Sequence, residues 1–165
     1  MNRRQAYNIL WLLLGTFLVV ATFRLGIVAV RRGAIDLSPK PNPVIAAQSG
    51  DLQKLISLES NGMSLNFQYP HMWNWTPLIA AIESRNTNVI QYLLKKHVAL
   101  NLRDRDGRTA LIWAIRERDT NTIKALVVKG ADREIKDSMG ASAAEYAAAI
   151  SDTNIRYVAT KLLKR

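Results

Sequence analysis

Few side chains in this chain have the chemistry of a catalyst. His71 and His97 are its two histidines, and no metal-ligand spacing connects them. Asp104 and Asp106 flank Arg105 and can be read as a carboxylate pair for general acid–base work. The absence of cysteine excludes a thiolate nucleophile, a thiolate metal site, a disulfide framework and a lipoprotein anchor. No glycine-rich phosphate loop follows a strand, and no nucleophile elbow is present. The sequence therefore predicts no enzyme, with no catalytic, cofactor-binding or metal-binding residues and no small-molecule substrate.

Binding chemistry is better represented. The stretch Phe67-Gln68-Tyr69-Pro70-His71-Met72-Trp73-Asn74-Trp75 holds two of the four tryptophans within three positions. Clustered Trp, Tyr and Met anchor protein interfaces. Tyr69, Met72, Trp73 and Trp75 are accordingly candidate contact residues. The competing expectation is local packing, with Phe67 and one tryptophan tucked under the loop.

The elements that position this loop are repeated. A threonine-led stretch, Trp75-Thr76-Pro77-Leu78-Ile79-Ala80-Ala81, returns as Arg108-Thr109-Ala110-Leu111-Ile112-Trp113-Ala114 and as Ala141-Ser142-Ala143-Ala144-Glu145-Tyr146-Ala147. The hydroxyls fall at 76, 109 and 142, in steps of 33. A second marker keeps the beat at Asn86-Thr87-Asn88, Asp119-Thr120-Asn121 and Asp152-Thr153-Asn154. This pattern resembles the ankyrin-repeat family, whose period is about 33. The resemblance covers roughly 42–165 and implies an all-α solenoid of about four helix pairs, at about 42–73, 74–106, 107–139 and 140–165.

The substitutions obey the physics of that fold. Thr76, Thr109 and Ser142 are N-caps, and Pro77 suits a first helical turn that needs no N–H donor. Asp119 and Asp152 cap the second helices. Gly107, Gly140 and, in their place, Asn74 sit where each finger must turn with positive φ. Gly62 and Gly130 end second helices, and His97 holds the same place with some strain. Leu78, Ala81, Ile90, Leu93 and Leu94 are expected to stack on Leu111, Ala114, Ile123, Leu126 and Val127. Ile155, Val158, Ala159 and Leu162 form the stripe of a terminal capping helix.

Ahead of the repeats lie a short basic tail at 1–6, an apolar run at 7–30 and a proline-rich linker at 31–41. A helix over 7–30 is long enough to cross roughly 30 Å of hydrocarbon. The predicted architecture is thus an N-terminal transmembrane helix followed by the solenoid; a cleaved signal peptide is the alternative. Hydrophobic residues at 48% suffice for a core, while 22% charged residues exclude a wholly lipid-embedded chain. Of the net charge of +10, half surrounds the anchor: Arg3, Arg4, Arg24, Arg31, Arg32 and Lys40 stand against Asp36 alone. That placement reads as membrane orientation before nucleic-acid binding. Counting basic residues would keep the repeats cytoplasmic, whereas the short basic tail is the export arrangement of a signal anchor. The reading adopted is a single-pass protein of a bacterial inner membrane with periplasmic repeats.

Family resemblance implies a protein partner on the concave face. The matching positions are Met72, Trp73, Trp75, Arg105, Asp106, Arg108, Ser138 and Met139 in the fingers, and Glu83, Ser84, Arg116 and Glu117 on the helices. In that setting Asp104-Arg105-Asp106 reads as turn and salt-bridge chemistry. Arg105, Arg108 and Arg116 should lie together beside Asp106 and Glu117, a mixture unlike a nucleic-acid stripe. The layout is similar to small anchored bacterial immunity proteins that neutralise a toxic effector such as a phospholipase. Two other readings are a scaffold or regulator of an envelope or oxidative-stress enzyme, and a charge-driven binder of anionic lipid or nucleic acid.

The anchor generates a direct prediction. Full-length protein should stay in the membrane pellet after carbonate washing; release of intact repeats would contradict an uncleaved anchor.

Overall fold

The computed structural model describes residues 42–164, which form eight helices in four pairs. They are α1 (Pro43–Gln48) and α2 (Leu52–Ser60), α3 (Pro77–Glu83) and α4 (Thr87–Lys95), α5 (Ala110–Arg116) and α6 (Thr120–Val128), and α7 (Ala143–Ala148) and α8 (Thr153–Leu163). The expected tail, anchor and linker lie outside the described residues. Within them no helix is long and apolar enough to cross a membrane. The second helices begin at 52, 87, 120 and 153. The first interval is thus two residues longer than the others, and the excess lies in the loop 61–76.

Most of the helices start where a side chain satisfies free N–H groups. Thr76 accepts from the Ile79 N–H at 3.1 Å and Thr109 from that of Ile112 at 3.5 Å. Ser142 instead donates its N–H and its hydroxyl to Glu145, at 2.5 and 2.8 Å. Asp119 and Asp152 cap α6 and α8 as expected. Asn86, in the equivalent place before α4, makes no side-chain cap. Its amide reaches back to the first repeat and donates to Ala47 O and Gln48 O, at 3.0 and 2.7 Å.

The first helices pack in a row, α1 on α3, α3 on α5 and α5 on α7, and every second helix packs against its own partner. Helices covered on both sides are apolar all round: residues 78–82 of α3 and 110–115 of α5 are all buried. Leu78, Ala81, Ile90, Leu93, Leu94, Leu111, Ala114, Ile123 and Leu126 join this core, with Val127 half-buried against it. The last helix departs from its expected stripe. Ala159 and Leu163 are buried and Ile155 and Leu162 are half-buried, but Val158 is 39% exposed. Among the described residues no further pair follows α7 and α8, so only the side facing α6 and α7 is covered.

The fingers between pairs are joined backbone to backbone. The Arg105 N–H donates to Trp73 O at 2.7 Å, and one repeat later the Ser138 N–H donates to Asp106 O at 2.8 Å. Side chains repeat the stitching. Asn66 accepts from Ala99 N–H at 2.8 Å, Asn101 from Asp132 N–H at 3.0 Å, and Arg103 donates to Lys136 O at 2.9 Å.

Gly107 and Gly140 occupy equivalent left-handed positions, φ +78° and +81°, as does Asn74 at +60°. The left-handed residue His97, φ +53°, ends α4 as expected. A Cβ on Gly107 would meet the flexible end of Arg103 at 2.6 Å and, on the next finger, Ser138 N at 3.0 Å and Asp137 C at 3.2 Å, whereas one on Gly140 would meet nothing within 4 Å. Gly140→Ala should therefore cost about 1–2 kcal/mol of backbone strain. Gly107→Ala should lose roughly a further 1–3 kcal/mol by forcing the neighbouring finger away. Urea midpoints at unchanged slope measure both; equal losses would contradict the close approach of the two fingers.

Candidate functional site

The two regular fingers are closed by a buried aspartate. In one, Asp104 N–H donates to Arg108 O at 2.9 Å. The Asp104 carboxylate accepts from the N–H groups of Asp106 and Arg108 at 2.9 and 2.8 Å, and from Trp113 Nε1 at 2.8 Å. The next finger repeats the device. Asp137 accepts from the N–H groups of Met139 and Ala141, both at 2.9 Å, and from the Tyr146 hydroxyl at 2.7 Å. One carboxylate thus holds the turn and ties it to the following first helix.

The long finger has no such aspartate. Tyr69 stands in its place: its N–H donates to Trp75 O at 2.9 Å, the counterpart of the bond from Asp104 to Arg108. The two extra residues are absorbed by a Met72 N–H to Tyr69 O bond, a Trp75 N–H to Met72 O bond and left-handed φ at both Trp73 and Asn74. A left-handed tryptophan is unusual, because its Cβ crowds the following carbonyl. The bond from Arg105 N–H to Trp73 O holds it there.

This geometry divides the aromatic cluster. Trp75 is 91% buried, packed edge-to-face on Trp113 with ring centres 5.3 Å apart. Local packing therefore accounts for Trp75. Trp73 is 57% exposed, with the Arg105 guanidinium over its ring at 5.9 Å. Phe67 does not tuck under the loop and is 41% exposed. Tyr69 and Met72 are half-buried against the core, and Met139 stands out at the tip of the third finger.

The predicted polar cluster is only partly assembled. Trp73, Trp75 and Trp113 wall a cleft of about 230 Å³, with Asp106, Arg108 and Arg116 also at its lining and Asp104 at its base. Arg108 pairs with Asp106 at 2.5 Å and lies 4.0 Å from Asp137. Arg116 stacks on Trp113, 4.6 Å from the ring centre. Arg105 sits over Trp73 instead of lining the cleft. Glu117 is drawn away by an ion pair with Arg85 at 3.2 Å, and Glu83 accepts from the Ser84 hydroxyl at 2.9 Å. Trp113 was not among the sequence candidates, because its position on a first helix reads as core. The shared nine-residue step from Asp104 to Trp113 and from Asp137 to Tyr146 is the signal that could have found it.

One buried polar atom of a cleft-lining residue is unmatched. Among the described residues Trp75 Nε1 is the one buried side-chain nitrogen or oxygen without a hydrogen-bond partner. Leaving such a donor unsatisfied costs about 1–3 kcal/mol.

Asp137 gives the site a pH signature. Burial pushes its carboxyl up, but the Tyr146 hydroxyl, the Ala141 and Met139 N–H groups and the Arg108 charge outweigh that and bring the pKa below the usual value. A lowered folded-state pKa stabilises the fold above the ordinary aspartate value of about 3.9 and is lost as pH falls through the lowered one. Asp137→Asn should cost roughly 1–3 kcal/mol near neutral pH. Its deficit relative to wild type should shrink as pH is lowered from about 5 towards 2 in urea titrations; a constant deficit would contradict this role.

The repeat geometry agrees with comparison to known proteins. A search of curated proteins finds no match. The family model described as "Ankyrin repeats (3 copies)" matches residues 44–137, more than half of the chain. The helix pair α7 and α8 extends the same stack beyond the matched span. Such repeats imply a protein–protein interaction module, and the chain belongs to the ankyrin-repeat family.

Proposed function

We propose that this protein is a membrane-anchored ankyrin module whose finger side, centred on Trp73, docks a protein partner. The observation that carries this reading is the exposure of Trp73. A large aromatic side chain, 57% in solvent, sits on backbone held at left-handed φ and hydrogen-bonded to the next finger. Exposed aromatics on preorganised backbone are favoured interface anchors, because little conformational freedom is lost on binding. Met139, 75% exposed, puts a second large apolar side chain on the third finger, and Arg105 and Arg116 supply polar groups on the same side. Tyr69, Met72 and Trp75 support the platform from beneath.

The specific form of the proposal is neutralisation of a toxic effector, such as a phospholipase, at a bacterial envelope. It rests on layout: an apolar segment at 7–30, a linker and a small binding module. The repeats are placed in the periplasm, tethered to the inner membrane. A scaffold for an envelope or oxidative-stress enzyme would use the same face with a different partner. The alternating charges at the fingers disfavour a binder of nucleic acid or anionic lipid.

Titration calorimetry and thermal melting of Trp73→Ala and Leu93→Ala test the docking face against the partner recovered from membranes. Trp73→Ala should weaken binding by about 2 kcal/mol or more and change stability by no more than about 0.5 kcal/mol. Leu93, fully buried, should show the reverse, with Leu93→Ala losing roughly 2–5 kcal/mol of stability while the folded fraction binds normally. Normal binding by Trp73→Ala would place the interface elsewhere.

A further inference from the structure

We propose that the three-tryptophan cleft is a receptor for one carboxylate side chain, an Asp or Glu presented by the partner protein. This inference rests on the finger side being the docking face and adds the chemistry of what enters it. Hydrogen-bonding capacity decides the ligand. Most acceptors around the cleft are already committed, Asp106 through Oδ2 only. Asp104 takes three N–H groups, Asp106 takes Arg108, and Asp137 takes two N–H groups and the Tyr146 hydroxyl. The donors are not. Trp75 Nε1 has no partner, and Arg105 and Arg116 have ring contacts but no carboxylate among the described residues. A site whose free charged donors outnumber its free acceptors favours an acceptor-only group, which an ionised carboxylate is.

Charge and size narrow the choice. Guanidinium groups already lie over Trp73 and Trp113, so a cationic ligand seeking those rings would meet like charge. Arg116, stacked on Trp113, presents a planar fork that matches a carboxylate in bidentate geometry. At about 230 Å³ the cleft is below the usual range for whole small-molecule ligands, roughly 300–1,000 Å³, and suits a side chain entering from a partner surface. The tryptophan walls would hold an apolar or aromatic neighbour of the acidic residue. Trp75 Nε1 is buried, so contact with the carboxylate requires a side-chain shift on binding while the finger backbone stays in place.

The test is selection from a phage-displayed random dodecapeptide library against the full chain, followed by titration of the enriched synthetic peptides. The expected peptides carry an Asp or Glu beside an apolar or aromatic residue. Their affinity should fall about tenfold or more in Arg116→Ala and in Trp75→Phe, as expected for a hydrogen bond to a charged group. Trp75→Phe removes the N–H together with part of a buried indole, so it should melt below wild type; measured where both proteins are folded, it should also shrink the affinity advantage of each acidic peptide over its Asn or Gln counterpart. Peptides without a shared acid, or acidic peptides indifferent to both variants, would overturn the carboxylate site. If those peptides still fail to bind Trp73→Ala, the docking face stands and only the ligand assignment falls. Peptides indifferent to Trp73→Ala as well, or a library yielding none, would overturn both.

Discussion

A short helix pair leaves its apolar face to water, and only another pair can cover it. That constraint organises this molecule. The first helices of the middle repeats are covered because each lies between neighbours, and their sequences are correspondingly apolar over residues 78–82 and 110–115. Among the described residues the end repeats have one neighbouring repeat each. Ile45 in α1 and Tyr157 and Val158 in α8 are exposed among the described residues. Stability is therefore shared along the stack through nearest-neighbour contacts instead of residing in one central core.

Stacking also dictates what the fingers can do. Once the helices are in register, successive fingers come within backbone hydrogen-bonding distance, so each tip is held by the one before it. Gly107 leaves room for that approach, and Asp104 and Asp137 close the turns from inside. The long finger solves the same problem with different means. It lacks the aspartate, carries two extra residues, and replaces the internal lock with left-handed Trp73 and Asn74 and with Trp75 packed on Trp113. The outcome is a rigid tip with one tryptophan inside and one outside.

Much of the fold was legible because it depends on local chemistry that repeats. Thr76, Thr109, Asp119 and Asp152 cap helices wherever the chain restarts, and apolar spacing identifies the stacked faces. The failures occurred where side chains act across repeats. In the sequence Asn86 reads only as a marker of the repeat, yet it ties α4 to the first repeat, a bond that needs the three-dimensional register to be seen. Val158 fits a helical stripe, yet no neighbour covers it. At the candidate site, the exposure of Trp73 followed from the anomalous loop, but the burial of Trp75, the diversion of Glu117 to Arg85 and the part played by Trp113 did not. Each depends on which residue of the next repeat lies opposite.

The central claim is that partners meet this molecule at the fingertips around Trp73. Site-specific photo-crosslinking in cells tests it most directly, with benzoylphenylalanine placed at Arg105 or Met139 on the finger side and at exposed Lys124 on α6. The account predicts one discrete crosslinked protein from the two finger positions and none from position 124. A crosslink formed from position 124 and from neither finger position would contradict it.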